Sequence, residues 1–290
     1  MEYIGQIFRP PSEADSLLVQ VTVGCSHNEC TYCAMYRDKR FMPKKWEKIE
    51  ADLREGLSEP YYRRVFLCDG DAMILSADKL LRILDFIKEH GPHIERVGIY
   101  GDARGILKKT PEELIALREA GLGIVYHGVE SGDEEVLRRL KKGASAAEQL
   151  EAAKKCKAAG ITYSAIVLLG AGGTELSEQH ARSTAAWLSA ADPDYLGLLM
   201  LTLVPYTPLW DDAEAGRFSL PDKWGLLREL RAITEQSNFS ACHFSANHAS
   251  NYLPIRADMP RDKQRVLALI DRVLESGDES LLKPEWMRGL

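Results

Sequence analysis

The chain has 290 residues, 45% of them hydrophobic and 28% charged, which supports a substantial buried core in one large domain, or a domain plus an extension, and excludes global disorder. A formal net charge of −6 offers no general attraction to a phosphate backbone, so nucleic acid is not an expected partner without a local basic patch. No basic leader with an apolar core stands at Met1, and no apolar run approaches the roughly 18–20 residues that a bilayer crossing needs, so the expected address is cytoplasmic, with no membrane partner.

The first strand-like run, Leu17 to Val23, is almost unbroken in its apolar character, as expected of a strand buried on both faces. Directly after it comes Gly-Cys-Ser-His-Asn-Glu-Cys-Thr-Tyr-Cys, which sets Cys25, Cys30 and Cys33 within nine residues. The count of three is informative. A structural zinc site or an electron-transfer cluster normally closes with four protein ligands, whereas three cysteines on a four-iron cluster leave one iron open to a substrate or cofactor. Cys68, Cys156 and Cys242 lie apart from one another, which argues against a disulfide framework or a second local cluster and for burial.

Further strand-like runs begin near Arg64, Glu95, Gly123, Ile161 and Tyr195, and the later ones are spaced by about 30 residues, the size of a right-handed βαβ unit. Between them, Leu80, Leu81, Leu84 and Ile87 form a helical apolar stripe. Thr110-Pro111-Glu112-Glu113 supplies an N-cap, a proline at the first helical position and a capping-box glutamate, and Gly121 closes that helix. Ser145 and Glu148 repeat the capping-box spacing before a helix that ends at Gly160. Leu220 to Asn238 and Pro260 to Ser276 read as helices, joined by a connector over 241–252 that is rich in hydrogen-bonding side chains. Six strand and helix units suit an open barrel or a doubly wound sheet. Both keep their functional loops at the carboxyl ends of the strands, where the cysteines, Asp69 to Asp71, Glu130 and Gly170 all fall.

The cysteine loop, with Tyr32 just before its last cysteine, followed by this order of strands and helices, resembles the radical S-adenosylmethionine (SAM) superfamily. The similarity is greatest to the branch of elongator-type, methylthiotransferase-type and anaerobic coproporphyrinogen-oxidase-like proteins, and it covers roughly Ser16 to Leu209. The usual first gap between cysteines is three residues; here the CxxxxCxxC spacing has four. The resemblance implies an α/β fold with a partial (β/α)6 TIM-type barrel; the expected domains are that barrel with an N-terminal arm over 1–215 and, from the helices read beyond it, a mostly helical C-terminal extension over 216–290 that caps it. It implies that Cys25, Cys30 and Cys33 hold a [4Fe-4S] cluster whose open iron chelates SAM. One electron from an external donor such as flavodoxin or ferredoxin then yields a 5′-deoxyadenosyl radical that abstracts hydrogen from the substrate.

The same resemblance distributes the cofactor contacts. Asp69, Gly70 and Asp71 would meet the methionyl ammonium group, although aspartate and glycine are also what a plain turn uses. The stretch Tyr126-His127-Gly128-Val129-Glu130-Ser131-Gly132 resembles a glutamate-serine-glycine segment that places Glu130 on the cofactor. Lys142 would meet the SAM carboxylate where relatives often carry arginine, without arginine's bidentate fork; a solvated helix end is the equal alternative. Ser164 is a ribose contact and Ile166 an adenine contact, and Gly170 lets the backbone approach the ligand. The strand-like run from Tyr195 continues to Val204, next to the turn that relatives set beside the adenine, and Tyr206 replaces their glycine in that turn, either narrowing the substrate site or packing in a loop. His248 and Asn251 are expected to touch substrate or cofactor, or else to cap a structural loop, and His180 reads as structural. No residue is assigned to the chemical step. The absence of a second cysteine cluster disfavours methylthiolation, and the expected substrate is a small metabolite or a short peptide. The competing reading is a nonenzymatic iron-sulfur or zinc-binding protein on the same fold.

Overall fold

The apolar runs become strands in the computed structural model, which describes residues 1–289. In chain order the elements are β1 (Leu17–Gln20), β2 (Thr22–Val23), β3 (Met42–Pro43), α1 (Trp46–Leu57), β4 (Arg64–Cys68), α2 (Ala77–His90), β5 (Arg96–Tyr100), α3 (Ala103–Leu107), α4 (Pro111–Glu119) and β6 (Leu122–Glu130). They continue as α5 (Glu134–Arg139), α6 (Ala146–Ala158), β7 (Thr162–Leu169), α7 (Ser177–Ala191), β8 (Tyr195–Met200), α8 (Pro208–Glu214), α9 (Lys223–Gln236), β9 (Cys242–Ala246), β10 (Ile255–Met259) and α10 (Lys263–Ser276). The chain divides into two units. One holds 1–28, 35–127 and 151–163, and the other holds 29–34, 128–150 and the chain from Ser164 onward.

In the first unit β1, β4, β5 and β6 lie side by side and all parallel, with Leu17 opposite Val65 and Val65 opposite Val97. Val65, Phe66 and Leu67 are fully buried in succession, the burial of a parallel strand covered on both faces. Helix α1 turns Ile49, Leu53 and Leu57 inward, and α4 begins at the expected capping box, with Thr110 Oγ1 accepting the Glu113 amide at 3.2 Å and Glu113 accepting the Thr110 amide at 2.8 Å. Before β1, Glu13 is buried and accepts hydrogen bonds from Tyr126 Oη at 2.6 Å, from Ser16 and from Arg96, so a carboxylate inside the sheet's edge is fully partnered.

In the second unit β7 and β8 are parallel, β9 joins β8 in parallel, and β10 closes antiparallel on β9. Two of these features depart from the sequence reading. The connector over 241–252 contains β9, because Cys242, Phe244 and Ala246 are buried while His243 is exposed, a period of two that its polar residues conceal. The run from Tyr195 also ends as a strand at Met200, not at Val204. β9 pairs with β8 only across Tyr195, Leu196 and Gly197. Beyond that, Asn251 takes over with its side chain, Oδ1 accepting the Met200 amide at 3.1 Å and Nδ2 donating to the Leu198 carbonyl at 2.9 Å. Among the described residues no helix is long and apolar enough to cross a membrane.

Candidate functional site

The root of the cysteine loop is built on the end of β4. Asp69 is fully buried, and its Oδ2 accepts from the Gly24 amide at 3.1 Å, from Lys39 Nζ at 3.0 Å and from Gln20 Nε2 at 3.3 Å. Its own amide donates to Thr22 Oγ1 at 3.2 Å. One carboxylate oxygen therefore fixes the residue that precedes Cys25. Gly70 is held to glycine by close approach: a Cβ there would stand 2.5 Å from the Tyr36 ring and 3.0 Å from the Cys25 Cβ. Asp71 accepts from Ser26 Oγ at 2.5 Å and from the Asp102 amide at 3.1 Å. Burial, reinforced by the Asp102 carboxylate, pushes the Asp71 pKa up.

The longer first gap is absorbed as a turn. Asn28 takes a left-handed backbone (φ 53°), which asparagine tolerates, and its Nδ2 donates to the Tyr36 carbonyl at 2.8 Å. His27 Nδ1 lies 3.3 Å from Arg104 Nη1, and Arg104 Nε donates to Asp102 Oδ1 at 2.9 Å. Burial works against the Arg104 charge, but Asp102, Asp71 and the Cys25 sulfur together outweigh it and raise its pKa. Cys25 thus has a fixed cation in its surroundings.

The rest of the loop belongs to the second unit. The Cys33 amide donates to the Cys30 carbonyl at 3.3 Å, and the turn is pinned on both sides of Thr31, whose amide donates to Leu140 O at 2.9 Å while its carbonyl accepts from the Leu209 amide at 3.0 Å. Tyr32 Oη donates to Glu130 Oε1 at 2.8 Å, and Lys142 Nζ donates to the same oxygen at 3.3 Å. Glu130 closes β6 with a left-handed backbone (φ 63°) and is 6% exposed. Lys142 is 8% exposed and paired, so the solvated helix end is not its situation. Burial, followed by the Glu130 carboxylate and the Cys30 and Cys33 sulfurs, drives the Tyr32 phenol pKa well up.

On β7, Ser164 is buried opposite Tyr195 and Ile166 is partly buried opposite Gly197. Gly170 follows with φ 85°, and its amide donates to Glu229 Oε1 at 2.5 Å. The Val204 carbonyl accepts from Thr207 Oγ1 at 2.7 Å, and Tyr206 projects from this turn 94% exposed with φ 68°. His248 is partly buried, with Nδ1 2.9 Å from Ser250 Oγ, while the polar atoms of fully buried Asn251 serve β8 as described. Cys68, Cys156 and Cys242 are buried as expected, and burial pushes the thiols of Cys68 and Cys156 up to about 12.

Among the described residues no three His, Cys, Asp or Glu side chains stand gathered as a metal-holding group; the cysteine motif is the expected ligand set. Its donor chemistry suits a thiophilic iron cluster: three partly buried cysteines, each in a segment anchored by hydrogen bonds within its own unit. Lys39, Tyr36 and Arg104 escaped the sequence reading, since nothing local marks them. Glu229 had a visible signal, a carboxylate on the apolar face of α9 among Leu226, Leu230 and Ile233.

The family model described as the Radical SAM superfamily matches residues 19–188, more than half of the chain. The uncharacterized methyltransferase PH0819 of Pyrococcus horikoshii is 22% identical over 227 residues, 77% of this chain and 48% of that protein. The radical SAM methyltransferase TsrM of Kitasatospora setae, solved with cobalamin and a [4Fe-4S] cluster bound, is similar at a TM-score of 0.56 and 19% identity, over 70% of this chain and 41% of that one. Coproporphyrinogen III oxidase (HemN) of Escherichia coli, a radical SAM enzyme, is similar at a TM-score of 0.56 and 17% identity, over 77% of this chain and 52% of that one. The chain spans about half the length of these proteins. At such identities the likeness establishes the fold, a mostly parallel α/β sheet of the partial-barrel type.

Proposed function

The chain belongs to the radical SAM superfamily, enzymes that work with a [4Fe-4S] cluster and SAM, and from that premise we propose that it abstracts hydrogen from a small metabolite or short peptide. When bound, the cluster supplies one electron that cleaves SAM reductively to the 5′-deoxyadenosyl radical. The observation that carries the reading is the root of the cysteine loop, where buried Asp69 accepts from Gly24 and pairs with Lys39. A solvent-exposed or vestigial loop would have no use for a buried carboxylate at its base.

In this reading Cys25, Cys30 and Cys33 are the cluster ligands, and Arg104 lends positive charge beside Cys25. Asp71 and the backbone carbonyls of its turn face the methionyl ammonium group. Asp69 acts one step back, by holding the loop. Glu130 and Lys142, buried as a pair, meet the polar groups of the cofactor, while Ser164, Ile166, Gly170 and Val204 line its ribose and adenine. Tyr206 and His248 face the substrate, and Asn251 supports them through β8. The electron donor is an external one-electron carrier such as flavodoxin or ferredoxin.

The test is anaerobic reconstitution, reduction and product analysis. The protein should bind about four irons, release 5′-deoxyadenosine from SAM, and lose both properties in Cys30→Ala. A fully loaded, reduced protein that never cleaves SAM, with candidate substrates present, would leave only the nonenzymatic iron-sulfur or zinc-binding reading. Two of the similar proteins are called methyltransferases, so S-adenosylhomocysteine is assayed alongside; its appearance in place of 5′-deoxyadenosine would move the reading to methyl transfer.

A further inference from the structure

The apolar face of α9 contains a carboxylate that needs explaining. Leu226, Leu230 and Ile233 are buried on that face, and Glu229 among them is 3% exposed. A carboxylate in such a place is costly unless it is paired and hydrogen bonded. Glu229 Oε1 accepts the Gly170 amide at 2.5 Å, Oε2 accepts Ser177 Oγ at 2.6 Å, and His180 Nε2 lies 3.5 Å from Oε1.

His180 extends the chain of contacts. It is fully buried, with Nδ1 2.8 Å from Ser131 Oγ. Ser131 Oγ also accepts the Asp133 amide at 3.0 Å, and Thr184 Oγ1 lies 3.3 Å from the same Nδ1. Nε2, the other ring nitrogen, faces Glu229 across that 3.5 Å.

The two ends of this relay are strand ends. Gly170 follows β7 directly, and Ser131 follows Glu130 at the close of β6. Gly170 has a left-handed backbone at the point where the sheet ladder stops, so its amide needs a partner from outside the sheet. Glu229 provides it from a helix that lies outside the stretch matched by the family model, residues 19–188.

We propose that Glu229 is a positioning residue for SAM: it pins the Gly170 turn directly and, through His180 and Ser131, the Glu130 strand end. The inference rests on the assignment of those strand ends to the cofactor. Its consequence is that the shape of the SAM surface depends on the C-terminal segment and not on the strand-end motifs alone.

The experiment compares anaerobically reconstituted wild type, Glu229→Ala, Glu229→Gln and His180→Asn by iron content, equilibrium SAM binding and amide hydrogen exchange over 170–174 measured without SAM. In Glu229→Ala these amides should exchange about tenfold faster and SAM should bind about tenfold more weakly, with iron content unchanged. Glu229→Gln keeps a carbonyl oxygen for the Gly170 amide and should recover most of both. If Glu229→Ala does not fold, His180→Asn decides, with about a threefold loss of SAM affinity expected at unchanged iron content and an unchanged affinity overturning the proposal. Unchanged exchange at Gly170 in a folded Glu229→Ala overturns the pin. Faster exchange with unchanged SAM affinity overturns the link to the cofactor. A wild type that carries its full iron and binds no SAM refutes the assignment of the strand ends, and this inference with it.

Discussion

Tyr32 Oη donates to Glu130 Oε1 at 2.8 Å, joining the residue before the last cysteine of the motif to the last residue of β6. Glu130 needs such support, since a left-handed backbone at a non-glycine residue costs about 1–2 kcal/mol. Tyr32→Phe removes a hydrogen bond to a buried carboxylate, and a loss of about 1.5–3 kcal/mol in unfolding free energy is expected from urea titration. The same variant should keep its iron, because Cys33 is untouched, yet bind SAM about tenfold more weakly. Undiminished SAM affinity would reduce the Tyr32–Glu130 bond to a purely structural one.

Asp69 and Lys39 form a pair with side-chain exposures of 0% and 4%. Asp69→Ala leaves a buried ammonium with, among the described residues, the Gln6 carbonyl as its remaining acceptor and takes away the acceptor of the Gly24 amide. Breaking a buried pair from one side costs about 3–5 kcal/mol, and the lower end applies here because Gln6 remains. Iron retained after reconstitution should fall with it, since the residue before Cys25 loses its anchor. Asp69→Asn keeps one oxygen for Gly24 and should fall between the two. A stable Asp69→Ala protein with a full complement of iron would show that the loop has another root.

The fold was legible where the signal is local. The strand beginnings at Leu17, Arg64 and Tyr195 follow from apolar runs, and the capping boxes at Thr110 and Ser145 follow from spacings of three residues. β9 was hidden because His243 and Ser245 occupy the outward positions of an alternating strand and make it look like a polar loop. Within the candidate site, glycines and acids at strand ends were visible, but their partners were not. Lys39 reaches Asp69 across 30 positions with no short-range pattern to announce it, and Glu229 reaches Gly170 across 59, where a place on an apolar helix face announces burial but not the partner. Asp69 shows the consequence. Its type and place suggested a ligand contact, while its observed bonds hold the loop that bears Cys25.

His248 gives a pH dependence that separates its structural contribution from any role with a substrate. Burial, with the nearby Lys283 charge adding to it, holds the imidazole below its ordinary pKa of 6.5. The unfolded chain then takes up a proton as pH falls through 6.5 while the folded chain does not, so stability from this group is present above 6.5 and is lost as pH drops below it. The urea midpoint should fall between pH 7 and pH 5.5 more in the wild type than in His248→Gln. Parallel curves for the two proteins would mean that His248 titrates alike in both states.

Tyr206 stands where the resemblance drawn from the sequence expects glycine, and its backbone shows why glycine suits the place: φ is 68°. The side chain offers no compensation through packing, for it is 94% exposed. Strain of about 1–2 kcal/mol is retained at a residue that buries nothing. Tyr206→Gly relieves the strain and gives back part of the gain through the greater freedom of glycine in the unfolded chain, so a net stabilisation of about 0.5–1 kcal/mol is expected by urea titration. If the ring faces the substrate, the same variant should still cleave SAM without substrate at the wild-type rate and lose the acceleration that a substrate provides. Gain of stability with full substrate-dependent turnover would assign Tyr206 to the loop alone, and a loss of stability would show that the turn depends on the ring.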